Sequence, residues 1–244
     1  MKKALFFDID GTLIYDKNEI PEKMSSILRK WQMTGNYVFA ITGRSLRKFE
    51  QLKIDFQWDG YALHNGSKVI LNGNIISVKQ IKLSKIKWIL SQLEQCGYDY
   101  GLEYNERFFS NFSEKDILDK HSLNLSLLPD NDVNIDKLII MSQKLPSFLV
   151  NCMKHFNIVL MDKKFFCITH KYANKLTACR KIISSLNLKR SGCYYFGNDQ
   201  NDLVALEYFV NSIVVSNSSL KVSNKCCVYV KTYSDLENYI LSKF

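Results

Sequence analysis

Apolar runs and helical spacings alternate at both ends of the chain and give way to shorter, mixed patterns in the middle. Ala4 to Phe7 is an uninterrupted apolar run, which predicts a strand buried on both faces of a parallel sheet. Tyr15 to Ile20 is polar and turn-like, and Pro21 sits where a first helical turn tolerates it. Met24, Ile27, Leu28 and Trp31 recur at helical spacing, and Gly35 ends that helix. Tyr37 to Ile41 predicts a second strand, closed by Thr42-Gly43-Arg44, before Leu46, Phe49 and Leu52 mark another helical face. Strand, helix, strand, helix is the rhythm of a parallel sheet with crossover helices.

The rhythm then changes. Asn65-Gly66 and Asn72-Gly73 separate the short apolar runs Tyr61 to Leu63, Val69 to Leu71 and Ile75-Ile76, a strong hairpin signal at the edge of the first sheet. From about Gln80 to about Lys164 the pattern is a separate block. Leu83, Ile86, Ile89, Leu90 and Leu93 predict an amphipathic helix ending near Gly97. Short strands are expected at Tyr98 to Leu102, Arg107 to Ser110, Leu138 to Met141 and Ile158 to Met161, with a helix beginning near Pro146 and a polar loop from Leu123 to Asp136. Such a mix points to an open α+β sheet with helices on one face.

The first rhythm returns from Phe165. Phe165 to Thr169 reads as a strand, Asn174 to Leu186 as a helix, and Cys193 to Phe196 as a buried strand broken by Gly197-Asn198-Asp199-Gln200-Asn201-Asp202. A helix from Leu203, strands at Ile213 to Val215 and Val228 to Val230, and a helix from Ser234 follow, with no internal repeat.

At 244 residues, 46% of them hydrophobic and only three prolines, the chain reads as folded globular protein with a sizeable core. No apolar run approaches a membrane span, and Asp8 and Asp10 interrupt the only stretch that resembles a signal peptide, so a cytoplasmic protein without a membrane partner is expected. The seven cysteines form no C-x-x-C pair, which argues for buried reduced thiols rather than a zinc or redox site. His64, His121, His155 and His170 share no ligand spacing. A net charge of +9 is spread through the chain without a dense basic block, which argues against nucleic acid and for small anionic substrates.

The candidate chemistry gathers at strand ends. Asp8 and Asp10 close the first strand on the same side, where two carboxylates stay ionised only with a cation or fixed donors between them. Thr42-Gly43, Lys175 and the acidic loop Asn198 to Asp202 fall at other carboxyl ends or helix starts, which in open α/β sheets form the ligand crevice. Carboxylates suit Mg²⁺, the Thr42 hydroxyl and Gly43 N–H suit phosphate oxygens, and Lys175 can neutralise charge on a phosphoryl group.

These points, in this order, resemble the haloacid dehalogenase superfamily, most closely its Cof-like branch of phosphatases. Asp8-Ile-Asp10-Gly11-Thr12 is similar to the family's first motif, Thr42-Gly43-Arg44 to the second, Asn174-Lys175 within Ile168 to Ala178 to the third, and Gly197 to Asp202 to the fourth. Asn65-Gly66 matches the hairpin before the family's cap, and Asn217 a polar turn after the fifth core strand. The resemblance implies an α/β fold: a Rossmann-like doubly wound parallel-sheet core at 1–79 and 165–244, with an inserted α+β cap domain of the C2B type at 80–164. It also implies roles. Asp8 attacks phosphorus, and Asp10 is the acid and then the base. Thr42, Gly43, Lys175 and Asn201 hold the phosphate. Asp8, Asp10, Asn198, Asp199 and Asp202 are the metal candidates for Mg²⁺.

One position departs from the pattern. Where the family places its first acid of the fourth motif, this chain has Asn198, whose carbonyl can coordinate but brings no charge. A small shift of the loop puts Asp199 in its place, and Asp199 is the favoured direct ligand here, with Asp202 in support. The expected activity is Mg²⁺-dependent hydrolysis of a small phosphorylated metabolite. A sugar phosphomutase and a weakened phosphate-binding regulator are the alternatives.

Overall fold

Ala4–Phe7 forms β1, and all four of its residues are buried, as the apolar run requires. Helix α1 (Glu22–Met33) leads to β2 (Tyr37–Ile41), the short helix α2 (Leu46–Glu50) and β3 (Gly60–Leu63). Strands β4 (Lys68–Leu71) and β5 (Asn74–Val78) follow. The Asn65-Gly66 turn is a single 3₁₀ turn over His64–Gly66, in which His64 and Asn65 both take positive φ. The structure, a computed structural model, describes residues 2–14, 19–112, 123–129, 131–161, 163–215, 220–225 and 227–244. The sequence expectations at Asn217, His121, Cys226 and residues 15–18 lie outside these residues.

Two units divide the chain: Met1–Ser77 with Lys175–Phe244, and Val78–Asn174. The second unit holds β6 (Ile81–Lys82), α3 (Lys87–Gln95), β7 (Tyr100–Tyr104), β8 (Arg107–Ser110), β9 (Leu123–Asn124), β10 (Asn134–Ile135), β11 (Lys137–Ile140), β12 (Phe156–Met161) and β13 (Phe165–His170). Six of these strands form one sheet in the order β12-β13-β11-β7-β8-β9. On one face Tyr100, Leu102, Leu138, Ile140, Phe166 and Ile168 cluster with Ile89 and Leu93 of α3 and with Leu149. On the other, Lys137 and Glu103 form a buried ion pair at 3.3 Å.

Three sequence expectations change here. Phe165–His170 pairs antiparallel with β12 and β11, so it belongs to the second unit and not to the returning core. A strand apolar on both faces reads alike in either kind of sheet, so the pattern had no means of placing it. The segment starting at Pro146 is a 3₁₀ helix, Ser147–Lys154, and the expected loop from Leu123 to Asp136 contains the short strands β9 and β10.

The first unit resumes with α4 (Lys175–Ser185), β14 (Cys193–Gly197), α5 (Leu203–Tyr208), β15 (Asn211–Val215), β16 (Val228–Val230) and α6 (Tyr233–Leu241). Its sheet has the order β16-β15-β14-β1-β2-β3-β4-β5, parallel from β16 to β3. Strand alternation sends Leu5 and Phe7 into a cluster with Met24, Leu28 and Trp31 of α1 and Leu236 of α6. Ala4 and Phe6 go the other way, against Cys179 and Ile182 of α4 and Leu206 of α5. Helices therefore cover both faces, which is the doubly wound arrangement. The chain runs outward from β1 through β2 and β3, then restarts at β14 on β1's other side, so the switch point lies between β1 and β14.

Described cysteines are free thiols, with Cys167, Cys179 and Cys193 buried and Cys96 exposed. Among the described residues no helix is long and apolar enough to cross a membrane. Gly60 shows how tightly the sheet edge is packed: a Cβ there would lie 2.5 Å from the Ile70 carbonyl oxygen. Gly60→Ala is expected to lower stability by about 1–3 kcal/mol, read as a shift of the denaturant midpoint at unchanged slope.

Candidate active site

Asp8 is the first residue past β1, and its backbone N–H donates to the carbonyl of Phe196 on β14 at 2.9 Å. That bond anchors it at the switch point, where two neighbouring strand ends diverge. The chain then turns through Gly11, whose φ of +75° suits a residue without Cβ. The N–H groups of Leu13 and Ile14 fold back onto the carbonyl of buried Ile9, at 3.0 and 2.9 Å.

Lys175, the first residue of α4, reaches this point from the other motif. Its ammonium lies 2.6 Å from Asp8 Oδ1 and 2.7 Å from Asp202 Oδ1, with only 1% of the residue exposed. A helix N-terminus is the positive end of the macrodipole, so a buried cation there needs both carboxylates. Asp202 is wholly buried and fully used. Its Oδ1 also accepts from the Tyr195 hydroxyl at 2.5 Å, and its Oδ2 accepts the backbone N–H groups of Asn198 and Asp199, each at 3.1 Å. These bonds shape the acidic loop and suit Asp202 to the supporting place among the metal candidates. Gly197 permits this closeness, since a Cβ there would stand 2.5 Å from Asp202 Cγ.

The geometry bears on the choice between Asn198 and Asp199. Asp199 is the N-cap of the 3₁₀ turn Gln200–Asp202, and its carboxylate accepts the Asp202 backbone N–H. It is Asn198 that lies beside Asp8: the Thr12 hydroxyl is 3.3 Å from Asn198 Oδ1 and 3.4 Å from Asp8 Oδ2. The Asn198 amide nitrogen occupies the space over Gly11, 2.1 Å from where a Cβ would be. Asp8 and Asn198 thus present two oxygens across one hydroxyl, a donor set that suits a hard cation such as Mg²⁺.

Thr42 follows β2, next to β1, and is fully buried. Its hydroxyl accepts the Arg44 N–H at 3.1 Å, and its carbonyl accepts the Asn65 N–H at 3.0 Å. Asn65 Oδ1 in turn accepts from Asn201 Nδ2 at 2.9 Å and would lie 3.1 Å from a Cβ on Gly43. Asn201 is therefore tied through Asn65 to the Thr42-Gly43 turn. Asp10 is half exposed and held in the Arg44 guanidinium fork, with Nη2 2.6 Å from Oδ1 and Nε 2.9 Å from Oδ2. The sequence marks Arg44 for a salt bridge or the cleft without naming Asp10, and gives the Tyr195 and Asn65 side chains no role in the site. The available signal is the pair of tyrosine hydroxyls at Tyr194 and Tyr195 in an otherwise apolar strand, which does not say which of the two meets an acid.

Burial pushes the Asp8 carboxyl well above the ordinary carboxylate range; Lys175 pulls it back, and the charges of Asp202 and Asp10 push it further up. For Lys175, burial disfavours the ammonium, but Asp202 and Asp8 outweigh burial and raise its pKa above the usual lysine value. Burial and Asp202 also raise the Tyr195 hydroxyl, which stays a donor. Folded Asp8 holds its proton more tightly than the unfolded chain does, so stability falls as pH rises from the ordinary carboxylate value toward the raised one. In EDTA, wild-type melting temperature is expected to fall as pH rises from about 4 toward neutral, and Asp8→Asn, which lacks the titrating carboxyl, to lose that part of the slope. Thermal unfolding of both proteins across that range measures it, and identical slopes contradict it.

Comparison with known proteins places the chain in a family. Residues 5–237 match the haloacid dehalogenase-like hydrolase family. YkrA of Bacillus subtilis (strain 168), by name a candidate phosphatase, is 22% identical over 224 residues, covering 88% of this chain and 87% of YkrA. Among solved structures, BT1666 from Bacteroides thetaiotaomicron superposes with a TM-score of 0.82 at 17% identity, covering 100% of this chain and 95% of that one. The subclass IIB sugar phosphatase BT4131 superposes with a TM-score of 0.77 at 19% identity, covering 99% and 97%. At these identities the structural likenesses speak for the fold, and the family match carries the assignment. The chain belongs to the haloacid dehalogenase-like hydrolase family.

Proposed function

We propose that this protein is a Mg²⁺-dependent hydrolase of small phosphomonoesters, acting through an aspartyl-phosphate on metabolites of the cytoplasm. The observation that carries the reading is the buried Lys175 ammonium held between Asp8 and Asp202. It keeps one Asp8 oxygen fixed and places a positive charge beside the point where phosphoryl charge develops. In the first step an Asp8 oxygen forms a bond to phosphorus as the ester P–O bond breaks, and Asp10 gives its proton to the departing alkoxide. In the second, water attacks the phosphorus, Asp10 takes the water's proton, and the Asp8–phosphorus bond breaks to release phosphate. Arg44 grips both Asp10 oxygens, so each proton transfer requires the fork to release one of them.

Thr42, the Gly43 N–H, Lys175 and Asn201 are the groups assigned to the phosphate. The residues that would hold Mg²⁺ are Asp8 and Asn198, with the Asp10 backbone carbonyl that the family resemblance adds. When bound, the cation neutralises phosphate charge and counters the repulsion between phosphate and Asp8. The inserted unit takes the role of the family's cap, selecting the substrate, and the likeness to BT4131 puts sugar phosphates first among the classes to try. Phosphate release from a panel of sugar phosphates, nucleotides and cofactor phosphates tests the reading, with Mg²⁺ and with EDTA. Release is expected only with Mg²⁺, falling by about three orders of magnitude or more in Asp8→Asn. Interconversion of hexose phosphates with little free phosphate, or release that persists in the variant, contradicts it.

A further inference from the structure

Around Asp8 the negative charges are largely spoken for. Asp202 is shared by Lys175, Tyr195 and two backbone N–H groups, and Asp10 lies in the guanidinium fork of Arg44. Asp199 is turned onto its own 3₁₀ turn. The oxygen that faces Asp8 across the Thr12 hydroxyl belongs to Asn198 and is neutral. Asp8 itself already has an ammonium 2.6 Å from Oδ1. From side chains, a divalent cation at this point therefore meets one carboxylate and one amide carbonyl, and ligand charge is a main determinant of affinity for hard cations.

We infer that cation and phosphate binding are coupled in this protein: the Asn198 site holds Mg²⁺ weakly by itself and firmly only when a phosphate dianion completes its charge. The inference rests on the phosphatase reading above and adds the order in which the site fills. By linkage, a phosphate that tightens Mg²⁺ must itself be tightened by Mg²⁺ to the same factor. An enzyme built this way stays largely metal-free until substrate arrives, and its activity follows Mg²⁺ concentration more steeply than a site with a carboxylate at position 198. Substitution with aspartate is nearly isosteric and removes the charge deficit at its source.

The test is calorimetric titration of Mg²⁺ into the whole protein, with and without inorganic phosphate, for the wild type and Asn198→Asp. For the wild type, phosphate is expected to tighten Mg²⁺ by about tenfold or more. For Asn198→Asp, Mg²⁺ alone is expected to bind about tenfold tighter than to the wild type, and the gain from phosphate to shrink to about threefold or less. Equal wild-type affinity with and without phosphate, or no change of Mg²⁺ affinity in Asn198→Asp, overturns the coupling. If Mg²⁺ binds tightly without phosphate while hydrolysis still requires it, only the coupling fails. If neither protein binds Mg²⁺ in either condition, the metal-dependent reading and the coupling fail together.

Discussion

An ammonium group buried in a protein interior needs partners, and the first unit is arranged around that requirement at Lys175. Asp8 and Asp202 come from opposite ends of the chain, one after β1 and one after β14, and the Lys175 Nζ joins them. Removing either carboxylate leaves a charge without its full set of partners in a dry site. Removing the lysine leaves two acids facing each other. The same ion cluster holds the acidic loop in shape, because the second oxygen of Asp202 carries the Asn198 and Asp199 N–H groups. Loop geometry, lysine position and Asp8 orientation are thus one electrostatic problem with one solution.

The sheet makes that solution reachable. With β14 and β2 on either side of β1, the loops after three adjacent parallel strands open at the same edge. The Thr42 turn lies after β2, the acidic loop after β14, and Asp8 between them. Two links then cross between the loops: Asn201 to Asn65, and the Thr12 hydroxyl between Asp8 and Asn198. Aromatic packing beneath, with Phe7 stacked on Phe196 at 4.3 Å, ties β1 to β14 directly under Asp8. The rigidity that keeps Asp8 in place comes from this neutral layer as much as from the charges above it.

Much of this arrangement is visible in the residues themselves. Asp8, Thr42, Lys175 and Asp202 each follow an apolar run or open a helix, and such positions point to the crevice of an open sheet without any coordinates. What stays hidden depends on which way a side chain turns within a loop. Asn198 and Asp199 are adjacent and similar in size, and only the capping of the 3₁₀ turn by Asp199 decides that Asn198 faces Asp8. Tyr195 looks like one more apolar strand residue until its hydroxyl is seen on Asp202. Arg44 is a turn residue by pattern, and its grip on Asp10 is a matter of side-chain reach. The unit to which Phe165–His170 belongs is hidden for a different reason: burial on both faces is common to parallel and antiparallel strands.

The central claim is that Asp8 becomes covalently phosphorylated during turnover. Acid-quenching the wild-type enzyme during turnover with Mg²⁺, followed by borohydride reduction and peptide mass spectrometry, tests it at the residue itself. An aspartyl-phosphate is reduced to homoserine, so the account predicts homoserine at position 8 in samples quenched with substrate and unmodified aspartate without it. Steady phosphate release with Asp8 unmodified at every quench time would contradict the account and point to direct attack by water.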